Sequence, residues 1–355
     1  MALFEVTDYD KKVYEEEIRD FVPDKMIDVH CHVWRSCDRG DKKPKPGEVK
    51  RTVTWPSLVA EDNSIEDLQE TYKLMFPDKE VTPLFFSSTE KETQGVCNAY
   101  IRECMAKTGY PALYYSSPDQ SAEELRRMIL TGGYLGIKCY LSLSPKYLPE
   151  AEIRIFDFFP KHQLAVLNEM GAICMCHIPR HGRLKDPINI AQILEIKREF
   201  PRVRLIIAHI GRAYTEFDIG NAFEELSESK DLMFDFCANT CESAMTAMLK
   251  SVGPNRVMFG SDFPILRMRM RRIEENNTYI NLVPPGLYGD PRQDPHLREV
   301  SEEEGKKLTF FMYEEIRAFK RAAANCGLTK ADVERAFYGN AKDLIDGARR
   351  DIYGI

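Results

Sequence analysis

Along the chain, short runs of apolar and β-branched residues alternate with longer amphipathic stretches. The runs fall at 26–32, 81–87, 112–116, 134–141, 172–178, 203–209, 232–237 and 256–262. Segments apolar at nearly every position suit parallel strands buried on both faces. Between them lie candidate helices. Ser64–Met75 and Ser121–Leu130 each open on a serine followed by acidic residues, as a helix N-terminus should. Thr93–Thr108, Lys161–Met170, Pro187–Phe200, Gly220–Ser229 and Cys241–Ser251 supply the others, with Gly171 and Pro201 acting as stops. Eight strand–helix repeats predict a parallel α/β architecture closed into a (β/α)₈ TIM barrel rather than left as an open sheet.

Three segments stand outside the repeat. Residues 7–20 predict a short amphipathic helix before the first strand. Residues 35–63, basic and proline-containing, follow strand one, and residues 266–300 follow strand eight. Both insertions leave the C-terminal ends of strands, where barrels of this kind build their active sites, so both read as lids. Within the second, Arg267, Arg269, Arg271 and Arg272 read as a solvated or lid-pairing helix face. Helical character resumes from Ser301 to about Asn325 and again from Lys330 to Phe337. No linker divides the chain, so residues 1–355 are expected to form one barrel domain.

Composition narrows the function. The chain is 43% apolar and 30% charged, which suits a globular protein with a large core. A net charge of −7 argues against nucleic-acid binding. No apolar run approaches the roughly 20 residues that cross a bilayer. The opening MALFEVTDYD is too acidic and polar for a secretory signal. The ten cysteines lack paired spacing and read as reduced, packed thiols, so a cytoplasmic protein is expected.

The chemistry gathers at strand ends. Asp28-Val29-His30-Cys31-His32 closes strand one, and alternate residues of a strand share a face. His30 and His32 can therefore address one ion, with Asp28 on the same face either to steady an imidazole or to play a plain structural role. Imidazole suits zinc and its first-row neighbours. Alone, a His-x-His pair is weak evidence. Of the seven histidines, however, four (His30, His32, His177 and His209) sit at the ends of strands one, five and six. Phe259-Gly260-Ser261-Asp262 brings a carboxylate to the same level from strand eight. Packing alone explains that convergence poorly.

The segments MIDVHCHVW at 26–34, CHIPR at 176–180, IIAHIGRAY at 206–214, MFGSDFPI at 258–265 and FYGNAKDLI at 337–345 resemble the amidohydrolase superfamily, and more closely its amidohydrolase-2 (amidohydrolase-related) branch. The resemblance implies His30, His32, His177 and Asp262 as metal ligands. It implies His209 as a catalytic residue that orients or deprotonates the metal-bound water or polarises substrate, with Asp262 doubling as a proton acceptor while it ligates. Lys138, on the predicted fourth strand, complicates the set. In two-metal members a lysine there is carboxylated and bridges two ions, whereas this branch generally uses one. One Zn²⁺ is the expectation, with a second ion on carboxylated Lys138 as the alternative.

Arg180 and Arg212 each follow a strand-end histidine by three residues and offer forked donors to a carboxylate-bearing substrate, or else salt bridges within loops. Tyr140 and Tyr214 can contact substrate, with aromatic packing the better reading of each, and His181 reads as a loop residue near substrate. The leading expectation is a hydrolase cleaving a C–N or C–O bond of a small molecule with metal-activated water. A nonoxidative decarboxylase of an unsaturated or aromatic acid needs the same ligands and stands second. A noncatalytic metal-binding barrel stands third. The expected partner is a small molecule, without nucleic acid or membrane, and such barrels commonly form homo-oligomers.

Overall fold

The computed structural model describes residues 2–39, 51, 58–88, 91–290, 292 and 294–355. All eight predicted strands form, in order. They are β1 Lys25–His32, β2 Glu80–Phe86, β3 Tyr114–Tyr115, β4 Gly136–Lys138, β5 Ile173–Cys176, β6 Arg204–Ile207, β7 Met233–Asp235 and β8 Val257–Met258. Every ladder between them is parallel: β1 pairs with β2, and β3 through β8 pair in sequence. Two seams close the ring. Phe85 bridges Ala112 between β2 and β3, and Cys31 bridges Phe263 between β1 and the segment after β8. The Val29 amide donates to the Phe259 carbonyl across the second seam at 3.0 Å. The fold is a (β/α)₈ barrel.

Helices Ile65–Met75, Gln94–Thr108, Ala122–Gly132, Lys161–Met170, Pro187–Glu199, Ala222–Leu226 and Glu242–Val252 return the chain between strands. Ser64 and Ser121 cap the first and third of these by accepting from the backbone amides of Asp67 and Glu124. Most of the core lies between strands and helices. A smaller cluster fills the barrel itself, with Ile27, Val29, Leu84, Leu113, Ile173 and Ile206 inside. Its floor is a helix, Asn340–Tyr353, contributing Ala341, Leu344, Ile345 and Ala348. This helix lies beyond Phe337, where the expected helical character ended. At its start the Asn340 side chain donates to the carbonyls of Pro254 and Val257.

The segment after β8 departs from expectation. Its arginines lie on no α-helix. Arg267 closes a 3₁₀ turn, and Arg271 and Arg272 open strand β9 (Arg271–Glu275). β9 pairs antiparallel with β10 (Thr278–Val283), and β11 (Leu297–Glu299) adds to its other edge. Asn276 and Asn277 both take left-handed φ, of 51° and 61°, which is how a tight hairpin matches strand twist. Of the lid expected at 35–63, residues 40–50 and 52–57 lie outside the described residues.

Candidate metal centre

The site begins with a register shift. β1 and β2 pair evenly to Asp28 and Pro83, then resume at Cys31 and Phe85, so β1 carries an extra residue. Such a bulge re-aims side chains, and it reverses the inward parity here. Ile27 and Val29 line the barrel below it. Above it, His30 and His32 turn inward against Phe86, at ring separations of 5.2 and 4.7 Å. Asp28 therefore does not share their face, contrary to the strict alternation expected from sequence. Its carboxylate accepts from the Tyr72 hydroxyl and from the backbone amides of His30 and Ser261. Burial pushes its pKa up to about 7 against those hydrogen bonds. It braces backbone, not an imidazole.

The imidazole of His30 is held by Asp235 at the end of β7, with Nδ1 and Oδ2 2.9 Å apart. His32 Nδ1 lies 3.3 Å from the Ser87 carbonyl. Each Nδ1–H faces an acceptor, which leaves each Nε2 with its lone pair. Burial lowers the pKa of both histidines, His30 to about 3, so both rings are neutral at pH 7. Those two Nε2 atoms face Asp262 Oδ1, at 3.7 and 3.2 Å. Three acceptors thus meet with no proton to share, an arrangement that calls for a cation.

Strained backbone delivers the other groups. Asp262 has φ of 50°, and His209, Ile210, Gly211 and Arg212 form a left-handed turn with φ between 52° and 60°. For residues bearing a Cβ this costs on the order of 1 kcal/mol each, and such strain gathers at functional sites. Gly260 lets the end of β8 pass the site, since a Cβ there would stand 2.9 Å from the Cβ of His30. The His209 amide donates to Asp235 Oδ1 at 2.6 Å, and its Nδ1–H to the Cys237 carbonyl at 3.1 Å. Its ring lies 4.8 Å from that of His30 and 5.2 Å from that of His177.

The predicted residues divide. His30, His32 and Asp262 place donor atoms within 4.8 Å of one another. His177 is one imidazole further on, buried across His209, with Nδ1 lacking any partner. Tyr140 packs on it at 4.7 Å, and burial pushes its phenol up to about 12. Lys138 is buried below, its ammonium 5.2 Å from the centre of the Phe86 ring, and it makes no ion pair among the described residues. Burial lowers its pKa. Arg180 is engaged by Asp186 at 3.1 Å. Arg212 Nη1 donates to backbone carbonyls, that of Pro179 at 3.0 Å. His181 stands apart: its side chain is 64% exposed, 3.7 Å from Glu150.

Two residues escaped the sequence reading. Asp235 serves both His30 and His209, and Cys237 sets its thiol 2.9 Å from Asp235 Oδ1 and 3.1 Å from His209 Nδ1. Their donor atoms also cluster with those of His30 and His209 within 4.8 Å. There, however, N–H and S–H donors already satisfy the acceptors, so the deeper group supports the rings without needing an ion. The one available signal was an acidic residue interrupting the apolar run at 232–237.

Imidazoles, a carboxylate and the orphaned His177 Nδ1 together fit a first-row divalent ion. Known structures share the fold at low identity. An amidohydrolase from Burkholderia multivorans with bound zinc is 13% identical, with 90% of this chain and 99% of that one covered at a TM-score of 0.54. The 4-oxalomesaconate hydratase of Rhodopseudomonas palustris is 17% identical, with 93% and 98% covered at 0.55. A dihydroxybenzoic acid decarboxylase from Polaromonas, with bound manganese and 2-nitroresorcinol, is 14% identical, with 93% and 100% covered at 0.51. No curated protein matches the sequence. The amidohydrolase family model matches residues 27–277, a span running from β1 into the hairpin after β8 and holding every residue of the histidine–aspartate cluster, and the chain accordingly belongs to the amidohydrolase family of metal-dependent enzymes.

Proposed function

We propose that the chain is a hydrolase that cleaves a C–N or C–O bond, in an amide, lactone or ester, of a small carboxylate-bearing molecule. The observation that carries this reading is the meeting of His30 Nε2, His32 Nε2 and Asp262 Oδ1 beside His209. One divalent ion, zinc by the donor set, would be held by His30, His32, His177 and Asp262, and would supply acidification of water and polarisation of a carbonyl. His209 has its Nδ1–H committed to the Cys237 carbonyl, so Nε2 is the free lone pair and can take a proton from an attacking water. Asp235 holds His30 by its ring and His209 by its backbone, keeping the two in fixed relation. Tyr140, above His177, keeps its proton at neutral pH and can donate to a substrate oxygen.

A nonoxidative decarboxylase is the second reading. It is favoured by Arg212 and Arg272, which pair with no carboxylate among the described residues, and the fold is shared with a dihydroxybenzoic acid decarboxylase. Metal-reconstituted protein, screened against lactones, amides and aromatic acids in ¹⁸O-labelled water, separates the two. Label entering the product supports hydrolysis. Carbon dioxide release without label incorporation would replace it with the lyase reading. Intact mass and anomalous scattering on the same preparation test one ion with unmodified Lys138 against two with carboxylated lysine.

A further inference from the structure

The basic cluster after β8 resolves into arginines with unlike surroundings. Arg272 lies on β9 directly opposite Asn281 on β10. Its Nε donates to Asn281 Oδ1 at 2.8 Å, and its Nη1 to the Ala238 carbonyl at 2.8 Å. Aromatic rings surround the guanidinium, with centroids of Tyr279, Phe311 and Tyr214 at 4.4, 4.7 and 4.9 Å. Among the described residues no carboxylate pairs with it, and Nη2 makes no hydrogen bond. Arg183 shares the Tyr214–Tyr279 cage, at 5.3 and 5.2 Å, but Asp218 neutralises it at 2.6 Å. The cage therefore holds two guanidinium groups and one carboxylate, with one positive charge uncompensated.

A second, independent group points the same way. Asn281 is completely buried, and its Nδ2 has no hydrogen-bond partner. That amide is already joined to Arg272 through its Oδ1. Each of the two joined side chains thus keeps one unspent donor, in surroundings where an unsatisfied donor is costly. The position is the barrel mouth. Ala238, which receives Nη1, follows Cys237, whose carbonyl holds His209. Tyr214 lies in the same strand-six loop as Arg212.

We propose that Arg272, positioned by Asn281 and the Tyr214–Tyr279–Phe311 cage, binds the carboxylate of the substrate at the end remote from the reacting bond. This rests on the reading of the histidine cluster as the reactive centre. It moves substrate recognition from Arg180, which Asp186 already engages, to a residue of the hairpin. The required ligand is a small carboxylic acid whose anionic group lies away from the metal ligands. One open guanidinium nitrogen beside one amide nitrogen matches two carboxylate oxygens better than a phosphate, which seeks more donors.

The test uses metal-loaded full-length protein titrated calorimetrically with benzoate and with benzamide, its uncharged counterpart. Benzoate is expected to bind at least about tenfold more tightly. Arg272→Met should remove that preference while leaving benzamide affinity and metal content unchanged, and Arg272→Lys should restore part of it. Because Arg272 also ties the hairpin to Ala238, a wild-type measurement runs alongside: phenylglyoxal modification mapped by mass spectrometry, where benzoate should protect Arg272. Undiminished benzoate preference in Arg272→Met, protection of Arg212 or Arg180 without Arg272, absence of any carboxylate preference, or equal displacement by inorganic phosphate would each overturn the proposal. None of these readouts depends on turnover, so they stand if the reaction proves to be decarboxylation. Benzoate binding lost only on metal removal would put the carboxylate on the metal, overturning the Arg272 role while leaving the metal centre intact.

Discussion

Arg269 and Arg272 stand three residues apart on one segment, yet they belong to two regions built on opposite principles. Arg269 sits in a seam that joins the segment after β8 to the N-terminal helix Asp8–Val13. Its two terminal nitrogens grip the fully buried Asp10 at 2.8 and 2.6 Å, and Thr309 and Thr7 donate to the same carboxylate at 2.8 and 2.7 Å. Charge and hydrogen bonds close on themselves there. At the mouth they do not. Among the described residues Arg272 lacks a carboxylate, His177 Nδ1 and Asn281 Nδ2 lack partners, and His30, His32 and Asp262 present acceptors to one another. A group satisfied inside the chain serves stability, whereas one left open serves what binds from outside.

If that division is right, mutations should separate cleanly. The largest effect is expected for His32→Ala or Asp262→Ala. Metal measured by elemental analysis should be lost and turnover fall to background, while the thermal midpoint of the metal-free protein stays close to that of wild type. Next comes Asp235→Asn, which keeps one acceptor oxygen and makes the other an NH2 donor, so the His30 ring and the His209 amide can no longer both be satisfied. Metal affinity and activity should drop about 10–100-fold, with the His30 ring still present. Asp10→Ala should do the reverse. Breaking a buried pair costs about 3 kcal/mol or more in denaturant titration, and turnover per folded molecule should hold. Loss of metal in this variant would break the comparison.

The smallest effect is in pH. Burial opposes the charge of Asp10, but hydrogen bonds from Arg269, Thr7 and Thr309 and the field of Arg269 outweigh it and hold its pKa below the usual carboxylate range. In the unfolded chain Asp10 takes up a proton near about 3.9, before the folded protein does. Its contribution is therefore complete above that pH and declines as pH falls towards the lowered folded value. Thermal midpoints recorded from pH 6 downward should show a shallower acid limb in Asp10→Asn than in wild type.

How much of this was legible beforehand differs between strand and side chain. Eight apolar runs marked eight strands, because a strand buried on both faces must be apolar throughout. The strand-end histidines and Asp262 stood out for the converse reason: polar residues closing such runs need a purpose. Asp28 was misplaced because alternation assumes an unbroken pleat, and the bulge between Asp28 and Cys31 is a property of the β1–β2 pairing. The arginine cluster read as a helix face, whereas Arg271 and Arg272 open a strand whose hairpin turns on Asn276-Asn277, and only cross-strand pairing shows Arg272 opposite Asn281.

The sequence by itself determined the barrel, the identity of the candidate ligands and their common level at the strand ends, since these follow from periodicity and residue type. Tertiary structure alone decided which carboxylate holds which imidazole, that Asp235 and Cys237 stand behind His30 and His209, and that a carboxylate pairs with Arg269 but, among the described residues, none with Arg272. Such pairings join residues as far apart as Asp10 and Arg269, or His30 and Asp235. No local pattern encodes them, because a partner is set by where the closed ring of strands and its hairpin bring two side chains together.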